Sequence, residues 1–352
     1  MATLAFMEQG MTLSTVGEMF VAERNGTVIQ RVRMVDVDEV LIFGAVTLTP
    51  AAIAALLHRG IDTVFLTARG RYRGRLVGKP GRNVELRVAQ FQRLGREDVA
   101  LALGRAIVAG KVANQRYLLL RAQREQRRGD LAEAIAALRR IRDAVDTVPS
   151  LEVLRGLEGQ ASAVYFGVFG RCIRNPQFGF ERRTRRPPTD PVNAMLSFGY
   201  TLLAMAVEAA VLRVGLDPML GAFHTPEYGR PSLVLDLIEE FRPVMVDALV
   251  LRLVNRREVT PEDFEQPPEE VEETWAEEEG PDGAPPPPRA VWLGATGRRI
   301  FFRAWGRRLH ETHYYERRRQ TLTMEEILQQ QVYHLAQVLR GEEALYRAFV
   351  VR

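Results

Sequence analysis

Met19-Phe20-Val21-Ala22-Glu23-Arg24-Asn25-Gly26-Thr27-Val28-Ile29-Gln30 reads as two short β-prone runs joined by an Asn-Gly pair. That pair tolerates the positive φ angles of a two-residue turn, so the stretch predicts a β-hairpin. The same character extends over residues 1–85. Val37–Phe43 and Thr63–Leu66 read as further strands, and Gly70–Gly81, rich in Gly and Arg, as a last hairpin running into a linker. Between them Thr49 and Pro50 start a short helix as N-cap and first residue, and Gly60 ends it.

From residue 86 the apolar period becomes helical. Amphipathic stretches run through Val99–Arg128 and Leu131–Val145. Ser150 caps a helix carrying Leu154, Ala161 and Tyr165. Arg182–Pro191 is a basic, Pro-rich loop, after which Asp190 and Pro191 open a long apolar helix. That apolar stretch, Ala194–Leu216, contains Ser197, Tyr200, Glu208 and Arg213, which suits a buried helix and not a membrane span. A helix over Pro231–Phe241 is expected to close at Pro243. Residues 258–289 are acidic, then Pro-rich, and read as a flexible insertion. Helical pattern returns over Arg298–Arg340.

The formal net charge of +4 hides a segregation. Glu258–Asp282 holds 12 acidic residues and no Lys or Arg; without it the chain has 48 basic against 32 acidic residues, a net +16. The cations are 46 Arg and two lysines, Lys79 and Lys111. Arg offers phosphate a planar bidentate fork. The Arg preference itself is equally explained by coding bias, but the +16 is not. The single cysteine, Cys172, excludes an internal disulfide and a Cys-built zinc site and fits a reducing cytoplasm. Walker A, Rossmann and G-x-S-x-G patterns are missing. His310 and His313 stand three apart, not the four that a helical zinc pair needs.

Glu158 follows Leu154 by four residues and precedes Ala161 by three, so it lies on or beside an apolar helical stripe, among Gly156 and Gly159. It is either an Arg-paired structural acid or a metal ligand. Asp236 and Glu239, with Glu240 beside them, border an apolar face of Leu233, Leu237 and Phe241 and read equally as a solvated acidic edge. His224 lies in the loop before them. Together one imidazole and two or three carboxylates can hold a hard divalent cation: Mg²⁺, or Mn²⁺, toward which the imidazole tilts the choice. A basic body around such a site suits phosphodiester chemistry. Asn193, Ser197 and Tyr200 form a polar stripe that either bonds core backbone or orients ligands from a second layer. Arg317, Arg318 and Arg319, with Tyr314 and Tyr315, suit backbone binding with stacking, as do Arg182, Arg183, Arg185 and Arg186.

At these residues the chain resembles the CRISPR-associated integrase/endonuclease family, the catalytic subunit of spacer acquisition. The segment Pro187-Pro188-Thr189-Asp190-Pro191-Val192-Asn193-Ala194-Met195-Leu196-Ser197-Phe198-Gly199-Tyr200 is similar to a Pro-Pro-x-Asp-x-x-Asn-x-x-Leu-Ser-x-x-Tyr pattern of that family. Leu157-Glu158-Gly159, Gly221-Ala222-Phe223-His224, the Leu233–Pro243 helix and Gly341–Tyr346 resemble its other motifs in order. The resemblance implies an α+β chain: a β-sandwich-like dimerisation domain at 1–85, then a larger all-α catalytic domain at 86–352. It implies Glu158, His224 and Glu239 as ligands of Mn²⁺ or Mg²⁺, with Asp236 as an ancillary catalytic acid. It further implies a homodimer, double-stranded DNA partners (a short donor and the CRISPR repeat) and a small ferredoxin-like companion protein. The acidic insertion departs from the pattern.

Overall fold

The computed structural model describes residues 2–68, 70, 72–78, 83–126, 129–184, 187–266 and 290–351. The chain forms two compact units, Met1–Pro80 and Gly81–Arg352.

In the first unit Asn25 and Gly26 both take positive φ, 50° and 77°, and join β3 (Met19–Arg24) to β4 (Thr27–Arg33) as the sequence predicts. Before them lie two strands that the sequence reading passes over, β1 (Ala2–Phe6) and β2 (Met11–Val16). After them come β5 (Val37–Phe43), β6 (Val46–Leu48), α1 (Pro50–Arg59), β7 (Asp62–Leu66) and β8 (Tyr72–Leu76). Two four-stranded sheets result, ordered β1-β5-β7-β8 and β4-β3-β2-β6. Each mixes parallel and antiparallel pairs: β1 runs parallel to β5, and β2 parallel to β6. One apolar core joins the sheets and α1, with Leu4, Phe6, Leu13, Phe20, Val40, Ile42 and Leu56 buried. Thr49 caps α1 by accepting from the Ala52 N–H at 3.2 Å, and Gly60 ends it in the left-handed conformation.

The second unit is largely helical. Its helices are α2 (Val84–Leu94), α3 (Glu97–Gln126), α4 (Ala132–Val145), α5 (Leu151–Phe169), α6 (Pro191–Val214), α7 (Ser232–Ile238) and α8 (Ala248–Asn255). Then follow α9 (Ala295–His310) and α10 (Met324–Arg340). α3 packs against α4 and α5; α6 packs against α7 and α10. α6 is apolar on nearly every side because it is buried on nearly every side, from Val192 and Leu196 to Leu203 and Val211. Each such aliphatic side chain contributes roughly 1.5–3 kcal/mol on leaving water. Gly199 permits the closest packing there: a Cβ would stand 2.5 Å from Val246 Cγ1 and 3.0 Å from Phe301 Cζ.

Three expectations change. The helix stops before Pro243 is reached: α7 ends at Ile238, a turn covers 239–241, and Arg242–Asp247 then forms a π-helical turn that passes into α8. The helical reading of Arg298–Arg340 is interrupted by a hairpin, β11 (Thr312–Tyr315) with β12 (Gln320–Thr323). The second unit is otherwise largely helical as expected; that ribbon and the short pair β9 (Phe264–Glu265) with β10 (Trp292–Leu293) are its strands among the described residues. The insertion begins later than residue 258. Thr260 and Asp263 form a reciprocal capping box, and Glu258 accepts from Arg307 at 2.8 Å. The remainder, 267–289, lies outside the described residues.

Candidate active site

Ser150 starts α5 by accepting from the Val153 N–H at 3.3 Å, and Leu154, Ala161, Tyr165 and Phe169 bury its inner face. Glu158 therefore emerges at the border of that face, with its side chain 21% exposed. A Cβ at Gly156 or Gly159 would meet nothing within 4 Å. Among the described residues, the two glycines leave open space beside Glu158.

His224 is placed by its loop. Asp236, fully buried on α7, accepts the backbone N–H groups of Ala222 (2.6 Å), Phe223 (3.0 Å) and His224 (2.8 Å). It also pairs with His224 Nδ1 at 2.8 Å. Gly221 is required at the entry to this wrap, because a Cβ would lie 2.6 Å from Asp236 Oδ2 and from the Ser232 carbonyl carbon. From outside, Arg155 Nε on α5 donates to the Phe223 carbonyl at 2.9 Å. Asp236 thus holds both the His224 ring and the backbone of its loop. With Nδ1 engaged, Nε2 is the nitrogen left for a ligand.

Asp236 on α7 and the two acids just past its end do not form a solvated edge. Asp236, Glu239 and Glu240 are all buried. Glu239 accepts from Arg242 at 2.6 Å through Oε1, while Oε2 makes no well-formed hydrogen bond and lies 2.5 Å from Lys111 Nζ. The same Nζ donates to Glu158 Oε1, which also accepts from Ser162 Oγ at 2.8 Å. Burial pushes the Glu239 carboxyl upward, but the Arg242 and Lys111 cations outweigh it and hold the group down at about 2. His224 is close enough to add to that lowering. Sequence reasoning does not reach Lys111, on α3, as a site residue. A signal for it exists all the same: it is one of two lysines among 46 arginines.

Among the described residues no three His, Cys, Asp or Glu side chains close on one point in ligand geometry. What the structure brings together is Glu158 and Glu239 on one ammonium, with His224 near enough for its charge to act on Glu239. Two carboxylates and one imidazole nitrogen are donor types that suit Mn²⁺ or Mg²⁺.

The polar stripe of α6 divides. Asn193 Oδ1 and Ser197 Oγ accept from the Arg183 guanidinium at 2.8 and 3.0 Å, and Asn193 Nδ2 donates to the Arg182 carbonyl at 2.9 Å. These two hold the Arg182–Thr184 segment, and the Arg183 they bind stands 5.4 Å from the centre of the Tyr200 ring. Tyr200 connects with Glu239: Arg242 stacks over its ring at 4.1 Å while binding Glu239. Its hydroxyl donates to buried Asp247 at 2.6 Å, as Tyr165 does at 2.8 Å.

Of the arginines expected on DNA, Arg182, Arg318 and Arg319 are exposed. Arg183 is engaged as above, and Arg317 donates to Gln337 and Glu343, so both serve the fold. Arg185 and Arg186 lie outside the described residues. Tyr314 is exposed on β11, whereas Tyr315 is buried and donates to Gln331 at 2.7 Å. His310 ends α9 and His313 lies on β11, so no helix pairs them.

A β-rich unit followed by a largely helical unit, in which two glutamates meet on one ammonium, makes this an α+β protein. The chain belongs to the Cas1 family: the model described as "CRISPR associated protein Cas1" matches residues 4–280. It is 41% identical over 279 residues to the CRISPR-associated endonuclease Cas1 2 of Rhodospirillum rubrum, covering 75% of this chain and 79% of that one. It is 36% identical over 337 residues to the CRISPR-associated endonuclease Cas1 3 of Thermus thermophilus, covering 96% and 93%. Its fold matches that of a casposase solved bound to integration product, with a TM-score of 0.80 at 20% identity over 99% of this chain and 93% of the other.

Proposed function

We propose that the chain is the DNA integrase of CRISPR adaptation, joining the 3′-hydroxyl of a short DNA segment to a phosphodiester at the repeat border. The observation that carries this reading is the convergence of Glu158 and Glu239 on one ammonium, with His224 near enough for its charge to act on Glu239, in a Cas1-family chain. The casposase that shares its fold is bound to integration product, which supports the joining chemistry. One P–O bond forms to the incoming 3′-oxygen and one breaks to release a 3′-hydroxyl on the repeat strand. The bond count is conserved, so ATP is not required. Glu158, His224 Nε2 and Glu239 would hold Mn²⁺ or Mg²⁺, which when bound supplies charge stabilisation at the phosphate.

The chain's own residues do the rest. Asp236 fixes the His224 ring and its tautomer by taking Nδ1–H. Arg242 holds Glu239 ionised and oriented. The open space at Gly156 and Gly159 gives a duplex access to Glu158. Exposed arginines such as Arg182, Arg318 and Arg319 contact the DNA backbone. β4 is a sheet-edge strand with Val28 and Ile29 exposed, which suits self-association of the first unit into a homodimer. A small ferredoxin-like protein completes the complex in the cytoplasm.

Glu158→Ala or His224→Ala is expected to abolish strand joining while DNA binding stays near wild type; normal joining by either variant overturns the reading. A second reading, a metal-dependent nuclease acting on branched DNA with water as nucleophile, is favoured by the endonuclease names of the relatives. Labelled 3′-hydroxyl DNA separates the two: joined product marks the integrase, cut product alone the nuclease. A non-catalytic basic scaffold would instead show no Mn²⁺-dependent thermal shift that Glu239→Ala removes.

A further inference from the structure

Lys111 is 5% exposed, and its ammonium bridges a carboxylate of α5 and one just past the end of α7. Glu158, Glu239, Lys111 and Arg242 carry formal charges that sum to zero. The cluster is therefore balanced without a metal. A dication added with every group in place would leave the buried cluster at a net charge of two, beside Arg242 and Lys111. Cations at such range repel strongly where water is excluded.

The identity of the residue matters as well. Arginine occupies 46 of the 48 basic positions, yet this one is lysine. A guanidinium between two carboxylates would be locked by its planar fork. An ammonium is a point charge on a flexible four-carbon stem and can swing away. Asn114, one turn further along α3, is by contrast tied down by donating to the Glu240 carbonyl at 2.7 Å and to the Phe349 carbonyl at 2.8 Å. The helix is anchored beside the site, and the side chain that bridges the acids is the adaptable one.

We propose that Lys111 is the resident counter-ion of the cation site. It holds Glu158 and Glu239 together in the metal-free protein, and a divalent cation binds by displacing it. This rests on the reading of those glutamates and His224 as the metal's ligands. Lys111 then weakens the affinity for free metal while it stabilises the empty site, two effects that linkage ties together.

The test is Mn²⁺ binding to the full chain, followed through the spin-resonance signal of free Mn²⁺, with thermal denaturation in chelator and in saturating Mn²⁺. Lys111→Met and Lys111→Gln are expected to bind Mn²⁺ about tenfold or more tightly than wild type, the ordinary size of such a coupling. Their midpoints should fall in chelator and recover with Mn²⁺. Lys111→Arg keeps the charge and the fold and is expected to bind Mn²⁺ no better than wild type. Wild-type or weaker affinity in the neutral variants, or tighter binding by Lys111→Arg, overturns the proposal. Glu158→Ala separates this from the underlying reading: if it binds Mn²⁺ as wild type does, the metal lies elsewhere and the counter-ion role falls with the ligand assignment.

Discussion

Glu239 and Glu240 are consecutive in the turn after α7, both buried, and committed to different partners. Glu239 meets Lys111 and Arg242. Glu240 accepts from the Tyr346 hydroxyl (2.8 Å), Gln331 Nε2 (3.0 Å) and the Phe349 N–H (2.6 Å), and so fastens residues 346–349 to the core. Phe349 stacks on Phe241 in the same place. One acid faces cations and the other faces neutral donors, so their protons are held in opposite senses. Cations keep Glu239 down at about 2, and burial pushes Glu240 up to about 7. The candidate site and the anchor of the C-terminal residues thus share one turn of backbone.

The raised acids make stability depend on pH. Burial lifts Asp247 from 3.8 to about 6 and Glu240 from 4.5 to about 7. A carboxyl raised in the folded state binds more protons folded than unfolded, so its contribution is complete below the unfolded value and is lost as pH rises through the folded one. Thermal stability should therefore fall between about pH 4 and pH 7 from these two groups. Asp247→Asn keeps partners for Tyr165 and Tyr200 and removes one titration; its midpoint should decline less than that of wild type between pH 4 and pH 6. Parallel curves for the two proteins would contradict the assignment.

Asp236→Asn should loosen the His224 loop without emptying the ligand set. An amide nitrogen would face N–H groups that now donate to the carboxylate, at a cost of roughly 1–3 kcal/mol for the bonds left unmade. Strand joining is expected to drop less than in His224→Ala, and amide exchange at Ala222, Phe223 and His224 to quicken. Gly221→Ala drives a methyl into the same carboxylate and should reproduce the loss of exchange protection. Unchanged exchange in both variants would remove Asp236 from its positioning role.

The exposed and the engaged arginines should behave differently. Replacing Arg318 and Arg319 by Ala is expected to weaken binding of any duplex and to lower the salt slope by about one for each phosphate no longer neutralised. Arg317→Ala removes bonds to Gln337 and Glu343 and should lower the thermal midpoint instead. Titrations at several salt concentrations, beside melting curves, distinguish the two outcomes; an unchanged slope for Arg318 and Arg319 excludes them from the DNA path.

What could be read in the sequence was local. The Asn25-Gly26 turn and the Thr49, Ser150 and Asp190 caps are decided by neighbours within four residues, and the structure places each as expected. The order of the Glu158, His224 and Glu239 motifs was legible through family resemblance. The parallel pairing of β1 with β5 was not, because strand partners far apart in sequence leave no periodic trace. Nor was the burial of Asp236, Glu239 and Glu240. Their partners arrive from α3, the π-helical turn and residues 346–349, and a carboxylate at the border of an apolar face looks the same whether water or Lys111 awaits it. The internal bonds of Arg183 and Arg317 were hidden for the same reason: charge is visible in a sequence, and its neutralisation is not.

Charge segregation bears on DNA binding through one segment. Since Glu258–Glu265 is folded into the second unit through Arg307, the capping box and β9, the removable acidic segment is 267–289, with eight acidic residues and Arg289. Deleting it takes a net charge of −7 from a chain of net +4. If that segment competes with DNA for basic surface, the deletion should tighten binding of unrelated duplexes at low salt, and the gain should fade as salt screens it over about 10 Å at 0.1 M. Strand joining at saturating DNA should stay as in wild type, because Glu158, His224 and Glu239 lie outside the deleted stretch. Affinity that is the same at low salt with and without residues 267–289 would reduce the segment to a spacer. A deletion that also lowered the thermal midpoint would instead mean that it packs on the helical unit.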